Sequence, residues 1–208
     1  MGAQVESVVL QKLDIAPCSG DLHCWFTKPG QCIHRDDMSR LYTQLSGADV
    51  LVLATPMYSP LPGEMQNAIN RLTPLLEPEL EERNGRTRLH FRRDVNIKRI
   101  ALVAASGWWE LENLSTVRTI AEELAADAGV PFAGAVLRPH AYRMAEDPDV
   151  EGRVMLAAHR AGVELVRDGV ISPETAAEAA VPVVPADLLR RELNAMYHAA
   201  KRKTRSDA

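Results

Sequence analysis

The sequence predicts an α/β protein built on a parallel, doubly wound sheet. Three observations carry that prediction. Short apolar runs recur at residues 50–54, 99–105 and 131–137. Each is followed by turn-forming residues and then by a stretch in which apolar side chains return at helical spacing. Strands joined through helices need crossover connections, which set neighbouring strands parallel.

Taken in order, residues 5–10 read as a short strand, and Asp14-Ile-Ala-Pro-Cys18 leads into a long loop. Asp36 or Asp37 is placed to cap a helix that carries Met38, Leu41, Tyr42 and Leu45 on one side and ends near Gly47. Val50-Leu-Val-Leu-Ala54 has no polar alternation, the pattern of a strand buried on both faces. Residues 55–63 hold three prolines and a glycine, so neither strand nor helix continues through them. Met65, Ala68, Ile69 and Leu72 then mark a helix. Residues 77–98, charged and with Asn84-Gly85 in the middle, read as a helix extension and a surface excursion.

The strand at 99–105 (Ile100, Leu102, Val103) runs into Ser106-Gly-Trp-Trp-Glu110. Residues 115–129 form an amphipathic helix with a glycine stop, and 131–137 a further strand. Residues 139–148 are irregular and 150–169 a long helix. Ser172 with Pro173 opens another helix, and a last one runs to about Lys203. The organisation expected is an α/β domain over residues 1–170 and a helical appendage over 171–208, suited to oligomerisation.

Composition narrows the function. A net charge of −4 gives no global basic field for nucleic acid, and the short basic run at 201–205 reads as a solvated terminus. No apolar run reaches the length of a membrane span, and no signal peptide is visible, so a cytoplasmic protein is expected. The three cysteines all lie between Cys18 and Cys32, which in a reducing compartment points to metal or redox chemistry before disulfides.

Three stretches are candidate sites. In residues 55–63 the prolines stiffen the backbone, and Tyr58 offers an aromatic face suited to a flat conjugated ring. The plain alternative is a stiff connector with a half-buried tyrosine. In Ser106-Gly-Trp-Trp-Glu-Leu-Glu-Asn113, adjacent indoles cannot both enter one core from a regular element, so exposed aromatic surface is expected at the end of a second strand. The alternative places one indole in the core and the other over the next helix. The third stretch holds Cys18, Cys24 and Cys32, with Asp21, His23 and His34 as candidates for a fourth metal ligand. Three metal-free thiols are the alternative there.

These residues resemble a known family, the flavodoxin-fold NAD(P)H-dependent flavin oxidoreductases, in the branch that includes the iron–sulfur flavoproteins. The likeness lies in Pro17-Cys18 through Cys24-Trp25, Lys28-Pro-Gly-Gln-Cys32, Asp36-Asp-Met38, Thr55-Pro-Met-Tyr58 and Gly107-Trp-Trp-Glu110. It continues in Phe132-Ala-Gly134, Leu137-Arg-Pro-His140 and Ala161-Gly162. The resemblance implies a flavodoxin-like sheet and FMN as cofactor. Thr55, Pro56, Met57, Tyr58 and Ser59 would lie against one side of the flavin, and Ser106, Gly107, Trp108 and Trp109 along the other. It further implies NAD(P)H as co-substrate, a small-molecule or protein electron acceptor, and a homodimer or homotetramer. A [4Fe-4S] cluster on Cys18, Cys24 and Cys32, with Asp21 as fourth ligand, is the metal expectation.

Two departures stand out. Cluster-bearing members have a cysteine where this sequence has Asp21, a harder donor. The family's opening strand and its Gly/Ser/Asn-rich phosphate-binding turn have no match, since the chain begins at Met1-Gly-Ala-Gln-Val5. A fragment, a split protein with that strand on another chain, or a flavin-free descendant would each account for it. The expected function is therefore an FMN-dependent oxidoreductase. The rivals are a non-enzymatic iron–sulfur or zinc module and a flavin-free structural subunit. No catalytic side chain is expected, because hydride transfer to a flavin needs no protein acid or base.

Overall fold

A computed structural model describes residues 2–206 of the chain. Its centre is a parallel sheet of three strands in the order β1 (Val50–Pro56), β4 (Arg99–Ala105), β5 (Phe132–Arg138). β1 and β4 run in register from Val50 beside Arg99 to Pro56 beside Ala105. The register of β5 against β4 shifts between Ile100 and Leu102, opposite Gly134. Gly134 has φ +106°, and a Cβ there would stand 3.0 Å from the Cβ of Ile171. Only glycine accepts both conditions without strain.

Helices pack on both sides of the sheet, although the face of β1 and β4 that carries Val52 and Val103 stays open, so the predicted α/β class and parallel sheet are observed. The short α1 (His23–Phe26) lies in the cysteine loop, and α2 (Met38–Gly47) buries Met38 and Leu41, as the apolar spacing requires. α3 (Gly63–Asn70) buries Met65. α4 (Ser115–Ala128) lays Val117, Ala121, Ala125 and Ala128 against Ile100 and Leu102 and stops at Gly129, whose φ is +74°. On the opposite face, Val136 of β5 packs on Ala157 and Ala161 of α5 (Pro148–Arg167). Ile171, beside the helix α6 (Pro173–Ala179), and Ala179 within it join that cluster. Ser172 caps α6, its hydroxyl accepting from the Thr175 N–H at 3.2 Å. Glu164 ties the two helices by accepting from Ser172 N, 2.8 Å, and Thr175 Oγ1, 2.7 Å. α7 (Ala186–Ser206) follows. No helix among the described residues is long and apolar enough to cross a membrane.

Three expectations are corrected. Residues 5–9 form no strand. They run exposed, Val5 at 81%, into a 3-10 turn at Leu10–Lys12, because no strand lies beside them to supply a ladder. The run at 50–54 is not buried on both faces. β1 is an edge strand, and Val52 is 44% exposed while Leu53 is buried, so the alternation that the sequence hides appears in the fold. Val103 of β4 is open on the same face. Residues 77–98 are not a helix extension either. They hold an antiparallel hairpin of β2 (Leu76–Arg83) and β3 (Arg86–Phe91). Asn84 (φ +56°) and Gly85 (φ +72°) make its two-residue turn, a strong short-range hairpin signal when flanked by β-forming runs. The high charge of the strands masked it, and part of that charge, on Arg86 and Arg88, meets α4. Arg88 pairs with Asp127 at 2.5 Å and with Glu123 at 2.9 Å.

Candidate functional site

The ends of β1 and β4 lie side by side, which brings two of the three predicted loops together at the carboxyl rim of the sheet. Met57 extends the pairing by donating its N–H to Ala105 O at 2.7 Å. Thr55 is buried and its hydroxyl donates to Pro56 O, 2.9 Å. Tyr58 is held by its N–H to Pro60 O, 2.9 Å, across a cis Ser59–Pro60 peptide, and the residue is 64% exposed. A large aromatic side chain that far out on a fixed backbone is unusual for a packing role.

The second loop is fixed from behind. Ser106 is buried, donates its N–H to Arg138 O at 3.0 Å, and donates its hydroxyl to Trp108 O at 3.0 Å. His140 N donates to Trp108 O at 2.7 Å and Ala141 N to Ser106 O at 2.9 Å. Gly107 lies under the Tyr142 ring, 3.6 Å from where a Cβ would stand. With the backbone held, the indoles divide as the sequence suggests. Trp108 is 51% exposed, while Trp109 is half-buried, edge-on to Trp108 at 5.7 Å and covered by Arg190 of α7 at 5.1 Å. Arg138, His140, Tyr142 and Arg190 all shape this loop, and site reasoning from sequence did not single them out. They come from later elements, and only the fold brings them to the rim.

No residue of the two rim loops lines the cavity that the third stretch borders. Cys18 is exposed, Cys24 buried and Cys32 half-buried. All three line a cavity of about 490 Å³ with Trp25, His34 and Arg71. Trp25 anchors the loop by donating Nε1–H to Thr73 O, 3.2 Å. Among the described residues no three histidine, cysteine or acidic side chains gather closely enough to hold a metal ion. Asp21, the expected fourth ligand, is engaged otherwise. It accepts from the Ser19 hydroxyl and from the His23 N–H, and these two bonds hold its carboxyl below the usual range. His34 lies 3.4 Å from Ser19 Oγ. Among the described residues, then, the iron–sulfur expectation has no support.

The thiols differ in environment. Burial, with the neighbouring Cys32, Cys18 and Asp21, pushes the Cys24 thiol up from its ordinary value of 9.0. Since the thiolate is the reactive form, iodoacetamide at pH 8 should label Cys18 first and Cys24 last. Peptide mapping after timed alkylation reads the order, and early labelling of Cys24 would contradict this burial.

The family described as NADPH-dependent FMN reductase matches the chain over residues 1–130. No curated protein and no solved structure matches it.

Proposed function

The chain belongs to the NADPH-dependent FMN reductase family, and from that premise we propose that it binds the FMN ring between the two rim loops and passes electrons from NAD(P)H to an acceptor. One observation supports the reading above others: Tyr58 and Trp108, both more than half exposed, stand at the ends of strands that are neighbours in the sheet. In open α/β sheets ligands bind at this carboxyl rim. The fit is to the ring, a flat conjugated surface that stacks on exposed aromatics.

Bound FMN supplies the hydride-accepting and electron-passing chemistry. The protein's part is to bind, orient and shield. Thr55, Pro56, Met57 and Ser59 carry Tyr58 to one side of the ring. Ser106 and Gly107 set the path of the opposite loop, so that Trp108 faces outward while Trp109 is covered by Arg190. No side chain is assigned a proton transfer. The acceptor is a small molecule or a protein, and a homodimer or homotetramer would close the open side of the site.

FMN titration followed by quenching of flavin fluorescence tests the proposal. Trp108→Ala and Tyr58→Ala should each weaken binding on the order of tenfold. Phe26→Ala, which removes an aromatic 74% exposed in the cysteine loop, should leave it unchanged. Absence of binding, or equal affinity in all three variants, rejects the proposal.

A further inference from the structure

Arg138, the last residue of β5, is 7% exposed. One terminal nitrogen, Nη1, donates to Ala179 O at 3.1 Å and to Val181 O at 2.6 Å, so it secures the end of α6 and the start of the connector to α7. The other edge of the guanidinium is different. Nε and Nη2 are both buried and neither has a partner. Burial pushes the guanidinium down from its usual value, and no carboxylate acts to offset it. An arginine cannot shed its proton at neutral pH. A buried cation without a counter-charge is unfavourable, because burial removes its hydration and nothing replaces it. Water could satisfy the donors but would not neutralise the charge.

Two residues on, His140 is fully buried, and both of its ring nitrogens also lack partners. Its ring meets Tyr142 edge-on at 5.4 Å and feels the charges of Arg138 and Arg143, with Glu146 and Glu192 opposing them. Arg143 is already paired, with Glu192 at 2.7 Å and with Glu146. The unanswered charge is therefore that of Arg138.

The free edge has a shape. Nε–H and Nη2–H of one guanidinium point in parallel, and that fork matches two oxygens of a carboxylate or phosphate. We propose that Arg138, with His140 beside it, is a binding site for a small oxyanion, held bidentately through Nε and Nη2. The anion neutralises the buried guanidinium on the edge opposite the one that holds Ala179 O and Val181 O. Because Arg138 O accepts from Ser106 N, and His140 N donates to Trp108 O, an occupant here also braces the indole-bearing rim loop from behind. The site stands on these unpaired groups and not on flavin binding.

Thermal unfolding of the flavin-free protein tests it. At constant ionic strength and pH 7, sodium chloride is replaced stepwise by sodium phosphate in one series and by sodium acetate in another. A saturable rise in Tm with either anion is expected, and the series in which it occurs identifies the source as a phosphate or a carboxylate. Arg138→Lys keeps the charge but not the fork, so the half-saturating concentration should rise about tenfold or more. Arg138→Met should abolish saturation, and if it does not fold the lysine variant decides. Absence of a saturable rise with both anions, or the same rise in wild type and in the variants that fold, overturns the proposal and leaves only a general salt effect.

Discussion

Replacing Arg71 by methionine is expected to lower the free energy of unfolding by about 3–5 kcal/mol. Arg71 is 1% exposed, and its guanidinium grips Asp36 with two bonds of 2.7 and 3.0 Å while a third donates to Ala16 O at 2.8 Å. Asp36 in turn accepts from Ala16 N at 3.0 Å and Met38 N at 3.1 Å. The pair thus fastens the segment before Cys18 to the start of α2. Methionine fills much of the space but strands the carboxylate, and a buried charge left alone is what makes such truncations costly. Urea unfolding measures the loss. Adding Asp36→Asn to the variant should recover part of it, since the stranded charge goes. A loss below about 1 kcal/mol in the single variant would place this pair among ordinary surface ion pairs.

The same pair sets a pH dependence. Burial acts to raise the Asp36 carboxyl, but Arg71 and the two backbone donors outweigh it and hold the group below its ordinary 3.8. Folding is then linked to loss of that proton. Its contribution is intact above pH 3.8 and fades as pH falls through the lower folded value. Acid titration of stability should show a shallower fall below pH 4 in Arg71→Met than in wild type.

Legibility in the sequence follows a physical divide. Elements whose signal is local were readable: α4 from its apolar spacing and Gly129, α6 from Ser172 and Pro173, β4 from its apolar run. What depends on neighbours was not. Val52 and Leu53 are both apolar, and only the packing of helices on one face of β1 and β4 and not on the other decides that one is covered and the other open. In the hairpin, Asn84-Gly85 was visible, but strands such as Glu81-Glu82-Arg83 carry no apolar alternation. Their cross-strand and α4 charge pairs form only in the fold. The rim loops were legible because prolines and paired indoles mark them. Arg138 and His140 were not, because an unpaired buried charge is a property of surroundings and not of residue type.

Leu102→Ala carries the other large effect, a loss of about 2–5 kcal/mol. Leu102 is wholly buried in the central strand, between β1 and β5 and against the face of α4. The flanking backbones are held by two ladders, so the site cannot collapse around a smaller side chain, and the cavity term should be large. Val103, the next residue, points to the opposite face and is 42% exposed. Val103→Ala removes less buried surface and leaves no enclosed cavity, so its cost should stay below about 1 kcal/mol. Urea unfolding of both variants, repeated across a hundredfold range of protein concentration, checks the contrast. If Val103→Ala costs as much as Leu102→Ala at high concentration and little at low, a second molecule covers the open face of β1 and β4 in solution. Equal costs at every concentration would mean that the chain itself closes over that face, against the exposure of Val52 and Val103.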